Sequence, residues 1–150
     1  MPLVDKIQKD MYKAMKEKEK ERINALRNII GKLKYRYIDK GDKLTEQEEI
    51  KVIQSLAKQR RESIDAYESG GRLDLAEREA AEIVIIENYL PRQLDEDEIA
   101  NAVRGVIEKL GSSCIKDTGR TMAALKAAYS GQMDFSKVGN MVKEYLTSAR

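Results

Sequence analysis

The sequence contains no histidine and no tryptophan, a single cysteine (Cys114), a single phenylalanine (Phe135) and two prolines, Pro2 and Pro91. Each scarcity excludes something. Histidine is the commonest general base near neutral pH and the commonest zinc ligand, so its absence removes Ser-His and Cys-His nucleophile pairs and the ordinary zinc sites. A lone cysteine cannot form an intramolecular disulfide and suits a reducing compartment. Long apolar runs are missing too: Ile83-Val84-Ile85-Ile86 falls far short of the ~20 residues a membrane-spanning helix needs. Charge follows Met1 as early as Asp5, so no signal peptide is expected. The expectation is a soluble, cytoplasmic protein that does not engage a membrane. Neither G-x-x-x-x-G-K-[ST] nor G-x-G-x-x-G occurs, so no phosphate-cradling loop is visible.

What is present is charge and helix formers. Of 150 residues, 36% are charged, against about 25% in an ordinary globular domain. Lys, Glu and Ala dominate, and a chain this long can bury a real core without disulfides or metals. The net charge of +2 hides a segregation: +6 over residues 1–43, −7 over 44–111 and +3 over 112–150. Basic ends around an acidic middle fit an anionic partner, and equally fit ends that attract the middle.

Apolar periodicity divides the chain into helices. Leu3, Ile7, Met11 and Ala14 or Met15 mark a first amphipathic helix, and Ile23, Leu26, Ile30, Leu33 and Tyr37 a second that ends at Gly41. The run from Lys16 to Arg22 between them is a solvated helical segment or a break. Thr45 and Glu48 form a capping box. The helix after it buries Ile50, Ile53, Ala57, Ile64 and Tyr67 and stops at Gly70-Gly71. Another helix runs from about Leu73 to Asn88, with Ala76, Ala80, Ile83 and Leu90 on one face; its Ala/Glu/Arg-rich start argues against reading 83–86 as a strand. Pro91 ends or kinks it. Asp95 and Glu98 cap a further helix with Ile99, Val103, Val106 and Leu110 inward and Gly111 at its end. Two short helices follow, at roughly 118–130 and 136–148. No strand pair, repeat or low-complexity tract stands out. The fold class is all-α, with a boundary at Pro91 separating residues 1–91 from 92–150.

Several clusters invite a chemical reading and have a plainer one. Ser113-Cys114-Ile115-Lys116 matches S-x-x-K formally, but two fixed positions in four recur by chance. Cys114 beside two serines lacks a base, and reads as a small, partly buried residue leading into a helix. Asp95 to Glu98, and Glu77, Glu79 and Glu82, are carboxylate clusters that helix-start acids and solvated faces already explain. No catalytic residue, metal ligand or cofactor is assigned. Lys58, Arg60 and Arg61 make a basic spot whose plain reading is pairing along the helix, Arg61 with Asp65 and Lys58 with Glu62. Lys116, Arg120, Lys126, Lys137 and Lys143 are the better candidates for phosphate contact, with Gly119 and Gly131 permitting close approach of a backbone. On a helix beginning near Thr118, Arg120 falls in the first turn, where free N–H groups favour phosphate.

Taken in order, these segments resemble the YqeY family, small bacterial proteins related to the C-terminal tail of the B subunit of the glutamyl/aspartyl-tRNA amidotransferase. The likeness rests on the helix at 22–37, on Lys58-Gln59-Arg60-Arg61-Glu62-Ser63 and on Gly71-Arg72-Leu73-Asp74-Leu75. It rests further on the stretch from Glu82 to Leu94 that ends Tyr-Leu-Pro-x-Gln-Leu, on Asp117-x-Gly119-Arg120-x-Met122, and on Gly131-x-x-Asp134-x-x-x-Val138. The resemblance implies an N-terminal helical bundle and a smaller C-terminal three-helix subdomain. It implies a tRNA-associated binding module at 92–150, with Lys116, Gly119, Arg120, Lys126, Gly131, Lys137 and Lys143 as candidate contacts. The partners it implies are tRNA and amidotransferase or synthetase components. It also carries the label of a carbon–nitrogen ligase with glutamine as amido-N-donor. That activity is not expected of the isolated chain, whose residues supply neither a nucleophile–base pair nor a phosphate loop. The alternative is a protein–protein adaptor without nucleic-acid binding. The sequence leaves the oligomeric state open.

Overall fold

Helix boundaries in this chain are local events. In the computed structural model, which describes residues 2–148, the Thr45 hydroxyl accepts the Glu48 N–H while the Glu48 carboxylate accepts the Thr45 N–H. Asp95 and Glu98 repeat the arrangement. Each box satisfies two of the donors that a helix start leaves without partners. The helices are α1 (Pro2–Lys16), α2 (Lys20–Lys40), α3 (Glu46–Ser69), α4 (Leu73–Glu87), α5 (Glu96–Leu110), α6 (Thr118–Ala128) and α7 (Phe135–Ser148), with a short 3-10 helix at Ile115–Asp117 before α6. No strand occurs among the described residues. The fold is all-α.

The polar run at 16–22 is a break. Glu19 N–H bonds the Ala14 carbonyl and Lys18 N–H the Met15 carbonyl, the paired closure that ends many helices. It requires a left-handed residue, and Lys18 takes that role at φ 56°. Gly71, at φ 75°, fills the same role after α3, where a side chain would strain the backbone.

The chain divides into two units, Met1–Pro91 and Arg92–Arg150. In the first, Val4 and Ile7 of α1, Leu26, Ile29 and Leu33 of α2, Ile53, Leu56 and Ala57 of α3 and Ile86 of α4 share one core. Each Val, Leu or Ile side chain among them contributes about 1.5–3 kcal/mol when fully buried. On α4 the buried stripe differs from the expected one: Ala80 is exposed and Ile86 is buried. The cause is Arg60 of α3, whose guanidinium holds Glu79 at 3.3 Å and Glu82 at 3.1 Å and turns that flank of α4 inward. Arg61 reaches Glu87, 26 residues away, at 2.7 Å rather than pairing with Asp65. Near Pro91, α4 tightens into i→i+3 bonds at Tyr89 and Leu90, and the Tyr89 hydroxyl donates to Asp10 at 2.5 Å. Burial, then that carboxylate, pushes the Tyr89 hydroxyl well above its ordinary range.

In the second unit Ala102, Val103 and Ile107 of α5 pack with Leu125 of α6, Val138, Val142 and Leu146 of α7 and Met133 of the connecting loop. Ile99, Val106 and Leu110, expected fully inward, are half-buried, because the stripe centres on Val103 and Ile107.

Candidate nucleic-acid interface

The basic residues after Gly111 sit on a frame of neutral hydrogen bonds. Gly111 closes α5 in the left-handed conformation, which turns Ser112 into the interior. There its hydroxyl lies 2.8 Å from that of Thr121, which donates in turn to the Asp117 carbonyl at 2.9 Å. Thr121 is wholly buried, so this chain ties the α5–α6 loop to α6 with its polar atoms satisfied. The Asp117 carboxylate accepts the N–H groups of Ser113 at 2.9 Å and Cys114 at 3.3 Å. Those two bonds, with Arg120 beside it, hold its pKa below the usual carboxylate range.

This frame corrects two expectations. Cys114 is exposed rather than partly buried, because Ser112 takes the inward position. The start of α6 is not an open set of donors. The 3-10 turn precedes it, Ile115 O accepts the Thr118 N–H and hydroxyl, and an anionic Asp117 already occupies the turn. Whatever Arg120 contributes comes from its own charge.

The expected contacts separate into groups. Lys116, Lys126 and Lys143 are exposed, and no ion pair engages their ammonium groups among the described residues. Gly119 is exposed, with open space where a side chain would stand. Arg120 lies 3.4 Å from Asp117 and Lys137 3.9 Å from Glu96, both pairs at the surface, where such bridges contribute little and yield readily to another anion. Gly131 does not belong with the exposed set. It is buried at φ 75°, and its carbonyl accepts the Gln93 side-chain amide at 2.6 Å.

That last contact explains the Tyr-Leu-Pro-x-Gln-Leu signature. Tyr89 and Leu90 pack on the first core. Gln93 ties Gly131, while the Leu94 N–H bonds Gln132 O at 2.9 Å and the Gln132 side chain bonds Arg92 O at 3.1 Å. The motif's halves anchor into the core or loop of their own unit, so its residues serve the fold. Asp134 likewise accepts the Ser136 N–H at the start of α7.

The acidic clusters are engaged in structure: Glu79 and Glu82 by Arg60, Glu98 by Arg92. Among the described residues no three carboxylate or cysteine side chains converge as metal ligands do. No helix among them is long and apolar enough to cross a membrane. In the first unit a groove of about 370 Å³ lies between α2 and α3, with Lys32, Tyr35, Arg36 and Lys51 at its edge. The sequence reading passed over it, although an aromatic residue flanked by cations at i−3 and i+1 on one helix was a signal available there.

The fold and the surface together define a class: an all-α chain of two units whose exposed chemistry is ionic. The chain belongs to the family described as Yqey-like protein, whose model matches residues 4–146. It is 34% identical over 113 residues to altered inheritance of mitochondria protein 41, mitochondrial, of Lachancea thermotolerans, covering 73% of this chain and 60% of that protein. The protein of the same name from Kluyveromyces lactis is 38% identical over 84 residues, covering 55% of this chain and 45% of the relative. That from Meyerozyma guilliermondii is 29% identical over 138 residues, covering 92% of this chain and 65% of the relative. The aligned region thus spans about half to two-thirds of the length of these relatives. Their names place those proteins in mitochondria.

Proposed function

We propose that this protein is a tRNA-associated binding module whose second unit offers Lys116, Arg120, Lys126, Lys137 and Lys143 to backbone phosphates. The observation that supports it is that Lys116, Lys126 and Lys143 are exposed without carboxylate partners among the described residues, and that Gly119 is open. Arg120 and Lys126 both lie on α6. Six residues at 100° each leave them about 120° apart around the axis, so one curved phosphate backbone meets both. The carbon–nitrogen ligase chemistry of the related amidotransferase belongs, in this reading, to a partner enzyme or synthetase complex, and the chain acts without catalysing. A reducing compartment, the cytoplasm, fits the lone surface cysteine.

The test is fluorescence anisotropy with labelled tRNA across a salt series. Wild type is expected to bind more weakly as salt rises, because phosphate contacts release counterions. Arg120→Glu and Lys126→Glu are each expected to lower the salt slope by about one and to weaken all tRNA sequences alike. Salt-independent behaviour, or unchanged binding in both variants, overturns the reading in favour of a protein–protein adaptor. One feature favours that second reading: Ile38 and Val84 are 74% and 64% exposed on the first unit.

A further inference from the structure

We infer that the groove between α2 and α3 binds a nucleotide, a phosphate joined to a planar base, either free or as one residue of a single strand. The inference uses none of the residues of the second unit and stands independently of the tRNA reading.

The groove has the three parts such a ligand needs. Its floor is apolar: Val52 is half-buried and Leu56 belongs to the core. Its edge is cationic. Lys32 and Lys51 are exposed and engage no carboxylate among the described residues. Arg36 stands 3.6 Å from Asp39 and 3.7 Å from Glu48, too far for good hydrogen bonds, so its donors remain available to a phosphate. Its wall carries Tyr35, an aromatic ring 72% exposed that the core does not use and that offers a face for stacking. Ser55 and Gln59, also in the lining, supply hydrogen-bonding groups for a ribose or a base edge.

Helical spacing makes this a built face. Residues 32, 35 and 36 lie on one side of α2, and 48, 51, 52, 55, 56 and 59 on one side of α3. Glu48, the acid in the lining, is already committed. Lys40 holds it at 2.5 Å and the capping box holds it to Thr45, so it opposes an incoming anion less than a free carboxylate would. Size sets the class of ligand. About 370 Å³ lies near the lower end of small-molecule sites, roughly 300–1,000 Å³. That admits one nucleotide. An acidic peptide would satisfy the lysines but leave Tyr35 and the apolar floor without a matching group.

The experiment is anisotropy of a fluorescein-labelled, single-stranded oligoribonucleotide with the full chain at low salt. Adenosine monophosphate, ribose 5-phosphate, inorganic phosphate and the unlabelled strand serve as competitors. Lys32→Glu/Lys51→Glu is expected to weaken binding at least about tenfold, through lost phosphate contacts. Tyr35→Ala should weaken it by about fivefold or more, through lost stacking. Lys9→Glu/Lys13→Glu, which changes the same charge at exposed positions of α1, should stay within about twofold of wild type if contact rather than net charge decides. Competition by adenosine monophosphate identifies a free-nucleotide site, and competition by the unlabelled strand alone identifies a strand residue; either supports the inference. It is overturned if neither ligand binds saturably, or if the α1 pair weakens binding as much as the groove pair. It is equally overturned if Tyr35→Ala changes nothing, or if inorganic phosphate competes as well as adenosine monophosphate. All the substituted side chains are exposed, so an unchanged circular dichroism melt is expected for each.

Discussion

In the first unit α3 opens on Thr45 and Glu48 with Lys40 bound to the glutamate; in the second, α5 opens on Asp95 and Glu98 with Arg92 bound to it. The two starts use one device, a capping box whose carboxylate also holds a cation from the preceding chain. Beyond that point the units part. The first joins its long helices through charge, with Arg60 on Glu79 and Glu82 and Arg61 on Glu87. The second joins short helices through neutral bonds in its loops, Ser112 to Thr121, Thr121 to Asp117 and Gln93 to Gly131. Long helices present facing rows along which an arginine can reach a partner. Short helices present few such rows, and loop geometry takes over.

The contrast is broken or sharpened most strongly by removing one tie from each unit. Arg60→Met is expected to cost about 2 kcal/mol at neutral pH, since it orphans two half-buried carboxylates. That cost should shrink as pH falls, because Glu82 then takes up a proton. Burial already pushes the Glu82 pKa up, with Arg60 pulling it back. Thr121→Val is expected to cost about 1–2 kcal/mol by leaving the Ser112 hydroxyl and the Asp117 carbonyl short of a partner, with no dependence on pH or salt between pH 5 and 8. Amide exchange of α3–α4 and of α6, measured at pH 5 and 7, checks both. Equal pH dependence in the two variants would show that the units are not held differently.

Acid tests the device they share. Glu48 and Glu98 are held down to about 2, the first mainly by the Lys40 hydrogen bond and the second mainly by that from Arg92. A carboxyl depressed in the fold stabilises above its unfolded pKa, and that contribution is lost as pH falls toward the folded value. Glu48→Gln and Glu98→Gln should therefore be less stable than wild type at pH 6–7, with the difference fading between about pH 4.5 and 2. Glu49 behaves in the opposite sense. It is buried, and desolvation raises its pKa. Its proton-bound form is favoured by folding, so wild type loses stability as pH rises through the folded pKa. Glu49→Gln is expected to be more stable by about 1 kcal/mol at pH 7, and no more stable than wild type near pH 4. Chemical denaturation at three pH values distinguishes the two patterns.

What was legible in the sequence was whatever is local. A capping box spans four residues and a glycine stop one or two, so α3, α5 and their ends could be read directly. The basic candidates were legible as residue types, and Lys116, Lys126 and Lys143 do lie exposed. Partners across helices were not legible. Arg61 prefers Glu87 to Asp65 because the α3–α4 hairpin brings a distant carboxylate closer than the one a turn away, and no spacing rule encodes that. Gly131 looked permissive and is buried, since the residue that claims its carbonyl, Gln93, lies 38 positions earlier. The charge segregation also changes meaning at the structural boundary. The second unit includes the acidic start of α5, and its net charge over residues 92–150 is +1, the same as over 1–91. Binding therefore depends on where individual cations stand, which counting charge could not reveal.

The smallest expected effect concerns Lys18, the one left-handed residue among those described that is not glycine. Lys18 is left-handed at φ 56°, a conformation that costs a non-glycine L-residue roughly 1–2 kcal/mol, whereas the matching positions after α2, α3 and α5 carry Gly41, Gly71 and Gly111. The Lys18 side chain is exposed, and no ion pair holds it among the described residues, so its removal sacrifices little. Glycine would relieve the strain while giving back some entropy to the unfolded chain. Lys18→Gly is thus expected to stabilise by about 0.5–1 kcal/mol, with the gain appearing in amide protection at the end of α1 and the start of α2. The reverse change, Gly71→Lys, should destabilise by a similar amount, because Gly71 has open space around its Cα and only the backbone conformation resists a side chain. If Lys18→Gly is neutral while Gly71→Lys is costly, the break at 17–19 is held by something other than its backbone closure. Equal and opposite effects would show that both turns obey the same conformational rule.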